Sequence, residues 1–152
     1  MNRLTSTLIC AALITLSGCK SDFSFGNDVE LSGVAFGKSE LGEISTLTGI
    51  KFPPGAEGLE YLYLGSGIDD ALAAKVKIPA SEVEEFKTNA VFTTGSASKV
   101  SIQIGRSKAW WRIDELTDRV DRTLKLPNAT FLEVTCGKEG DDVIVYLSWI
   151  TT

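Results

Sequence analysis

Residues 143–150, Val-Ile-Val-Tyr-Leu-Ser-Trp-Ile, constrain the fold more than any other part of the chain. On an extended strand successive side chains point to opposite faces. Val143, Val145, Leu147 and Trp149 therefore share one face, and Ile144, Tyr146, Ser148 and Ile150 share the other. Both sets are largely apolar, so both faces need cover, and the strand belongs inside a sheet. Residues 130–136 read as its hairpin partner across the turn Gly137-Lys138-Glu139-Gly140-Asp141-Asp142.

The rest of the chain supplies short elements of both kinds. Residues 39–48 are expected to be helical, with Ser39 as N-cap, Leu41, Ile44 and Thr48 on one face, and Gly49 as C-cap. Pro53-Pro54-Gly55 then forces a turn. Residues 59–64 and the alternating run Leu72, Ala74, Val76, Ile78 read as a second hairpin around Gly65 to Asp70. Ser81 and Glu84 have capping-box spacing at the start of a helix that buries Val83 and Phe86. Val100, Ile102 and Ile104 alternate as a further edge strand would, residues 113–117 suggest a helical turn, and Val120 to Leu126 alternate again. The expected fold is α+β: one antiparallel sheet of about four to six strands with two or three short helices. The two hairpins read alike, Lys51-Phe52-Pro53 against Lys125-Leu126-Pro127 and Leu59-Glu60 against Leu132-Glu133. An internal pseudo-repeat of hairpins is one explanation. Shared turn chemistry is the other.

Composition narrows the chemistry. The 152 residues suit one domain, and 15 basic against 20 acidic residues give a net charge of −5, which argues against nucleic acid as a partner. There is no histidine, which excludes Ser-His-Asp and Cys-His nucleophiles and histidine-ligated metals. No phosphate-cradling glycine loop, Gly-x-Ser-x-Gly elbow, Ser-x-x-Lys or Cys-x-x-Cys occurs. Asp69-Asp70 and Asp141-Asp142 are adjacent pairs that point oppositely on a strand, so neither forms a carboxylate dyad. No EF-hand ligand spacing accompanies them, and no cofactor or metal is expected.

The N-terminus carries the most specific motif. Arg3 precedes an apolar run over residues 8–16, too short for the roughly 20 residues of a membrane-spanning helix but suited to an export signal. Leu16-Ser17-Gly18-Cys19 follows: an aliphatic residue, two small ones and a thiol. This quartet resembles the lipobox of bacterial lipoproteins. The resemblance implies cleavage before Cys19 and acylation of Cys19, with residues 1–18 as signal peptide, 19–33 as lipidated cysteine and tether, and 34–152 as the domain. Acyl chains contribute about 0.8 kcal/mol per buried CH₂, so several of them, palmitate among them, make a lasting membrane anchor. By the family's sorting rule, Lys20 after the cysteine favours the periplasmic face of the cell outer membrane. Phe23 and Phe25 in the tether are expected to dock on the domain or to lie near the lipid surface. Removal of the signal takes away only Arg3 among charged residues, so the mature chain is more acidic still. Cys10 leaves with the signal, and Cys136 remains as a single thiol expected to be buried and inert. The mature sequence also resembles small bacterial lipoprotein domains of no assigned activity, through its proline-glycine turn, Gly67-Ile68-Asp69-Asp70, a short helix, Trp110-Trp111 and a terminal hairpin.

Arg106, Lys108, Trp110, Trp111 and Arg112 form the most suggestive cluster. Indole and guanidinium together stack on sugars, hold anions or form interface hot spots; equally, a tryptophan fills the core while the arginine pairs with Asp114, Glu115 or Asp118. The functional expectation is a non-catalytic, lipid-anchored binding module for an envelope protein or cell-wall component. The alternative is a periplasmic immunity-type lipoprotein that neutralises a toxin. A third reading, a small envelope hydrolase, requires facing carboxylates or a Ser-Lys pair in a cleft.

Overall fold

A computed structural model describes residues 28–65, 69–97, 101–102 and 104–152. Cys19, the signal segment, Phe23, Phe25 and Val100 lie outside those residues. The described chain is a mostly-sheet α+β domain with one six-stranded antiparallel sheet and a few short helices. The strands are β1 (Val29–Ser32), β2 (Glu57–Leu64), β3 (Ala71–Ile78), β4 (Thr117–Leu126), β5 (Thr130–Glu139) and β6 (Asp142–Thr151). Their spatial order is β1-β2-β3-β6-β5-β4, so two three-stranded meanders meet along the β3–β6 pair. That seam runs from Ala71 opposite Ile150 to Ile78 opposite Val143. β1 lies within the segment read as tether, so the sheet begins earlier in the chain than its strand pattern alone suggests.

β6 is a central strand, as its two-sided apolar pattern requires, and residues 144–149 are all buried. One face of the sheet carries Tyr61, Leu72, Ala74, Val76, Leu132, Val134, Val145, Leu147 and Trp149 beneath three helices, α1 (Lys38–Thr48), α2 (Val83–Phe86) and α3 (Ala90–Thr93). α1 buries Leu41, Ile44 and Thr48, the stripe read from sequence. Its N-cap is Gly37 rather than Ser39, because the Glu40 carboxylate accepts the Gly37 N–H at 2.8 Å and sets the first turn two residues earlier. Gly49 ends the helix at φ 72°, a conformation open to glycine. At the second helix the Ser81–Glu84 capping box does not form: residues 80–82 make a 3-10 turn, and no side chain caps Val83–Phe86. Val83 and Phe86 are nonetheless buried.

Asn89 joins these helices to the rest of the layer. It is buried; its Oδ1 accepts the Lys51 N–H at 2.7 Å, and its Nδ2 donates to the Lys51 and Phe86 carbonyls. The loop after α1 and the α2–α3 corner are thereby held in register. Phe86 packs between Phe52 and Phe92 at ring-centroid distances of 6.0 and 5.4 Å. Cys136 lies in this layer, 5% exposed, and burial pushes its thiol above the ordinary range despite Lys87 nearby.

The opposite face is covered differently. The connection from α3 to β4 runs across it with only the Ser96–Thr123 bridge and a 3-10 turn at Ile113–Glu115 as regular structure in its described residues. The strand expected through Ile102 and Ile104 is not formed. Ser101 and Ile102 give their N–H groups to a side chain instead, and residues 104–107 make a turn. Side-chain acceptors thus outcompeted a strand ladder at this position.

Leu147, fully buried on β6, and Val34, fully exposed after β1, bracket the energetic range of apolar sites. Leu147→Ala is expected to lower unfolding free energy by about 2–5 kcal/mol. Val34→Ala is expected to change it by no more than about 0.5 kcal/mol. Urea unfolding of the two variants checks both values.

Candidate functional site

Residues 101–102 and 104–112, hereafter the crossing segment, lie over the face of the sheet that carries two polar rows. One row reads Glu60, Lys75, Tyr146, Thr135, Asp121 across β2-β3-β6-β5-β4; the next reads Leu62, Ala73, Ser148, Glu133, Thr123. The segment is fixed at three places. At β5 the Glu133 carboxylate accepts the N–H groups of Ser101 and Ile102, at 2.9 and 2.8 Å, and the Ser101 hydroxyl at 3.0 Å. At β6 the Trp111 ring meets Tyr146 edge-on at 5.2 Å, while the Tyr146 hydroxyl donates to the Trp110 carbonyl at 3.2 Å. At β1 the Lys108 ammonium pairs with Glu30 at 2.7 Å. Gly105 makes the path possible, because a Cβ there would collide with the Trp111 ring.

The five cluster residues take different places. Trp110 and Trp111 are half-buried, meet edge-on at 5.5 Å, and pack with Ile113, Leu116, Ile144, Tyr146 and Leu59. Leu59 reaches this cluster through a β-bulge between Gly58 and Glu60. Arg106 and Arg112 are exposed. Arg112 donates to the Ala109 carbonyl and stands 3.6 Å from Glu115, a loose pair open to solvent. Lys108 is half-buried in its pair with Glu30. The structure brings the indoles and both arginines onto one crest, and assigns Lys108 to holding the segment down. Within residues 86–113 the sequence has five cations and no carboxylate, in a chain whose net charge is −5. Of these, Arg106, Lys108 and Arg112 stand on the segment, Lys108 paired with Glu30 and Arg112 beside Glu115, whereas Lys87 lies in the helical layer with Glu84.

Beneath the crest two charged groups of the first row, Lys75 and Asp121, are already paired. Lys75 binds Glu139 at 2.7 Å and lies 5.5 Å from the centre of the Tyr146 ring. Burial alone would lower the Lys75 ammonium, but Glu139 and Tyr146 outweigh it and hold the group above its ordinary value. Burial raises the Tyr146 phenol although Lys75 opposes it. Asp121 accepts the Thr135 hydroxyl at 2.6 Å and is gripped by the Arg119 guanidinium. Of the acidic turn pairs, Asp142 pairs with Lys77, and the Asp70 main chain pairs with Thr151. No group of three or more potential metal-ligating side chains stands together among the described residues.

A cleft of about 530 Å³ opens at the end of the helical face, between the C-terminus of α1 and the β4–β5 turn. Leu47, Leu126, Pro127 and Trp149 line it with threonine hydroxyls, and no ionisable side chain does. It supplies shape without an acid or a base.

Sequence reading did not find Glu133 or Tyr146 as parts of the site. The available signal was a glutamate on the strand beside the central one, where both faces are covered. Comparison with protein-family models, curated proteins and solved structures finds no match to this chain.

Tyr146 and Lys75 make stability fall at alkaline pH. Both hold their protons more tightly folded than unfolded, where the phenol titrates near 10.0 and the ammonium near 10.5. Their contribution is complete below about pH 10 and is lost as pH rises through the folded values. Urea midpoints are expected to drop at alkaline pH, and less steeply in Tyr146→Phe, which removes one raised group and its support of Lys75 while Tyr61, Tyr63 and Cys136 remain.

Proposed function

We propose that the chain is an exported, lipid-anchored envelope lipoprotein whose domain works without catalysis, as a binding module with the crest of the crossing segment as its contact surface. One observation carries the contact surface: a long irregular connection, of a kind that is usually functional, is fixed to the sheet at three places and presents exposed Arg106 and Arg112 beside Trp110 and Trp111. Tryptophan and arginine dominate hot spots because they combine large contact area with directional polar groups. The reading without catalysis is supported by the engagement of Glu133, Asp121 and Lys75 in structural pairs.

The anchor rests on Leu16-Ser17-Gly18-Cys19 and the apolar run before it. The described fold begins at Asp28, nine residues beyond Cys19, a contour of about 30 Å when extended. Lys20 supports the periplasmic face of the outer membrane as the destination. The partner would be an envelope protein or wall component close to that surface. No described helix is long and apolar enough to cross a membrane, so in this reading attachment falls to the lipid.

The pseudo-repeat gains support from strand order, since β2–β3 and β5–β6 take mirrored positions about the seam. α1 lies between β1 and β2, whereas the 3-10 turn at Ile113–Glu115 precedes β4, so the correspondence is confined to the hairpins.

Membrane fractionation with mass spectrometry tests the anchor. The native chain is expected in the membrane pellet with an acylated Cys19, and Cys19→Ala in the soluble fraction. A Cys19→Ala protein that stays in the pellet and a native protein without acyl mass would both refute it. For the contact surface, affinity for a partner recovered with the tagged chain is expected to fall about tenfold or more in Trp110→Ala and Arg112→Ala. Unchanged affinity in both variants would place the surface elsewhere.

A further inference from the structure

We propose that Glu133 is the positioning residue of this contact surface, setting where the crossing segment stands on the sheet; the role in recognition rests on the reading of the crest as a binding surface. Glu133 is 2% exposed, on a strand one place from the centre of the sheet. A carboxylate buried there is unfavourable unless its oxygens are satisfied. Among the described residues its hydrogen bonds come from the segment: two consecutive main-chain N–H groups and one hydroxyl. Its cross-strand neighbours contribute none, and among the described residues the Ser148 and Thr123 hydroxyls are themselves buried without partners.

Charge and segment are therefore mutually dependent. The sheet accommodates the carboxylate when Ser101 and Ile102 are in place, and those N–H groups find their acceptor in the carboxylate. An apolar side chain at this site would fill the same space but could not specify which residues cross above it, since dispersion has no direction and hydrogen bonds do. Everything downstream inherits that placement: Gly105 beneath Trp111, Trp111 against Tyr146, and Lys108 at Glu30. The strand register itself does not use the Glu133 side chain, because β5 is paired to both neighbours by main-chain bonds. Its loss should loosen the segment and leave the sheet.

The test is amide exchange, followed residue by residue in the full chain, with Glu133→Gln, which keeps the volume but turns one acceptor into a donor. Exchange at Ser101 and Ile102 is expected to accelerate about tenfold or more, and the Trp111 indole resonance to move as its contact with Tyr146 loosens. Protection in β3, β5 and β6 is expected to stay at the native level. Ser101→Ala removes one donor from the segment side alone and gives the same pattern more weakly, including where the glutamine variant does not fold. The two substitutions together should have less than their combined separate effects, because they share one contact. Unchanged exchange at Ser101 and Ile102 would overturn the proposal, and so would acceleration spread evenly over the sheet, which would mark Glu133 as a general stabiliser. If Trp110→Ala leaves partner affinity intact while the exchange pattern holds, the contact surface is misplaced and the positioning role of Glu133 stands.

Discussion

β6 needs cover on both faces, and the rest of the architecture answers to that requirement. Six consecutive residues of this strand are buried, so a layer must lie on each side of the sheet. Three helices supply the first, packed through Leu41, Ile44, Val83, Phe86 and Val91 onto leucine, valine and tryptophan side chains. An irregular chain supplies the second, over rows that contain Glu60, Lys75, Glu133, Asp121 and serine or threonine hydroxyls. The two layers obey different physics. The helical layer is held by non-directional burial, at roughly 25 cal/mol per Å² of apolar area removed from water. The irregular layer adds directional contacts at a few points, Glu133 and Lys108 among them, to one small apolar cluster around Ile144 and Tyr146.

That division bears on what each face can do. A helix layer packed to crystalline density tolerates little rearrangement, and its loss would expose the main core. A segment fixed at discrete polar points can be altered in sequence between those points without disturbing the sheet. Recognition residues gather on such segments for this reason, carried by a rigid scaffold but not part of its core. Trp110 and Trp111 belong to both worlds: partly buried, they pack on the small cluster around Ile144 and Tyr146, and they neighbour the exposed Arg112 in the chain.

Much of this was legible in the residues. The two hairpins, the central position of the last strand, the buried stripe and αL cap of α1, and the buried thiol all followed from period-2 or period-3.6 patterning and glycine chemistry. What was not legible depended on contacts distant in sequence. β1 has only four residues and no alternation strong enough to separate it from a tether; it becomes a strand because β2 offers it an edge. Ile102 and Ile104 alternate as a strand would, yet Glu133, some thirty residues away, takes the main-chain donors that a ladder would have used. Of the cluster from Arg106 to Arg112, sequence identified the residue types but not the split of labour, in which Lys108 holds and Arg106 and Arg112 are presented.

The strand at the middle of the sheet is also the last of the described strands to be made. For a polypeptide that emerges N-terminus first, β1, β2 and β3 are complete while the strand that must sit beside β3 has yet to appear. Until residues 142–151 arrive, the β1-β2-β3 unit and the β4–β5 hairpin each present a long, unpaired inner edge, the kind of edge that invites pairing with other chains. Removing residues 142–151 therefore does not trim a border; it takes out the keystone and leaves β3 and β5 with nothing to join them. Completion of the sheet waits on residues 142–151.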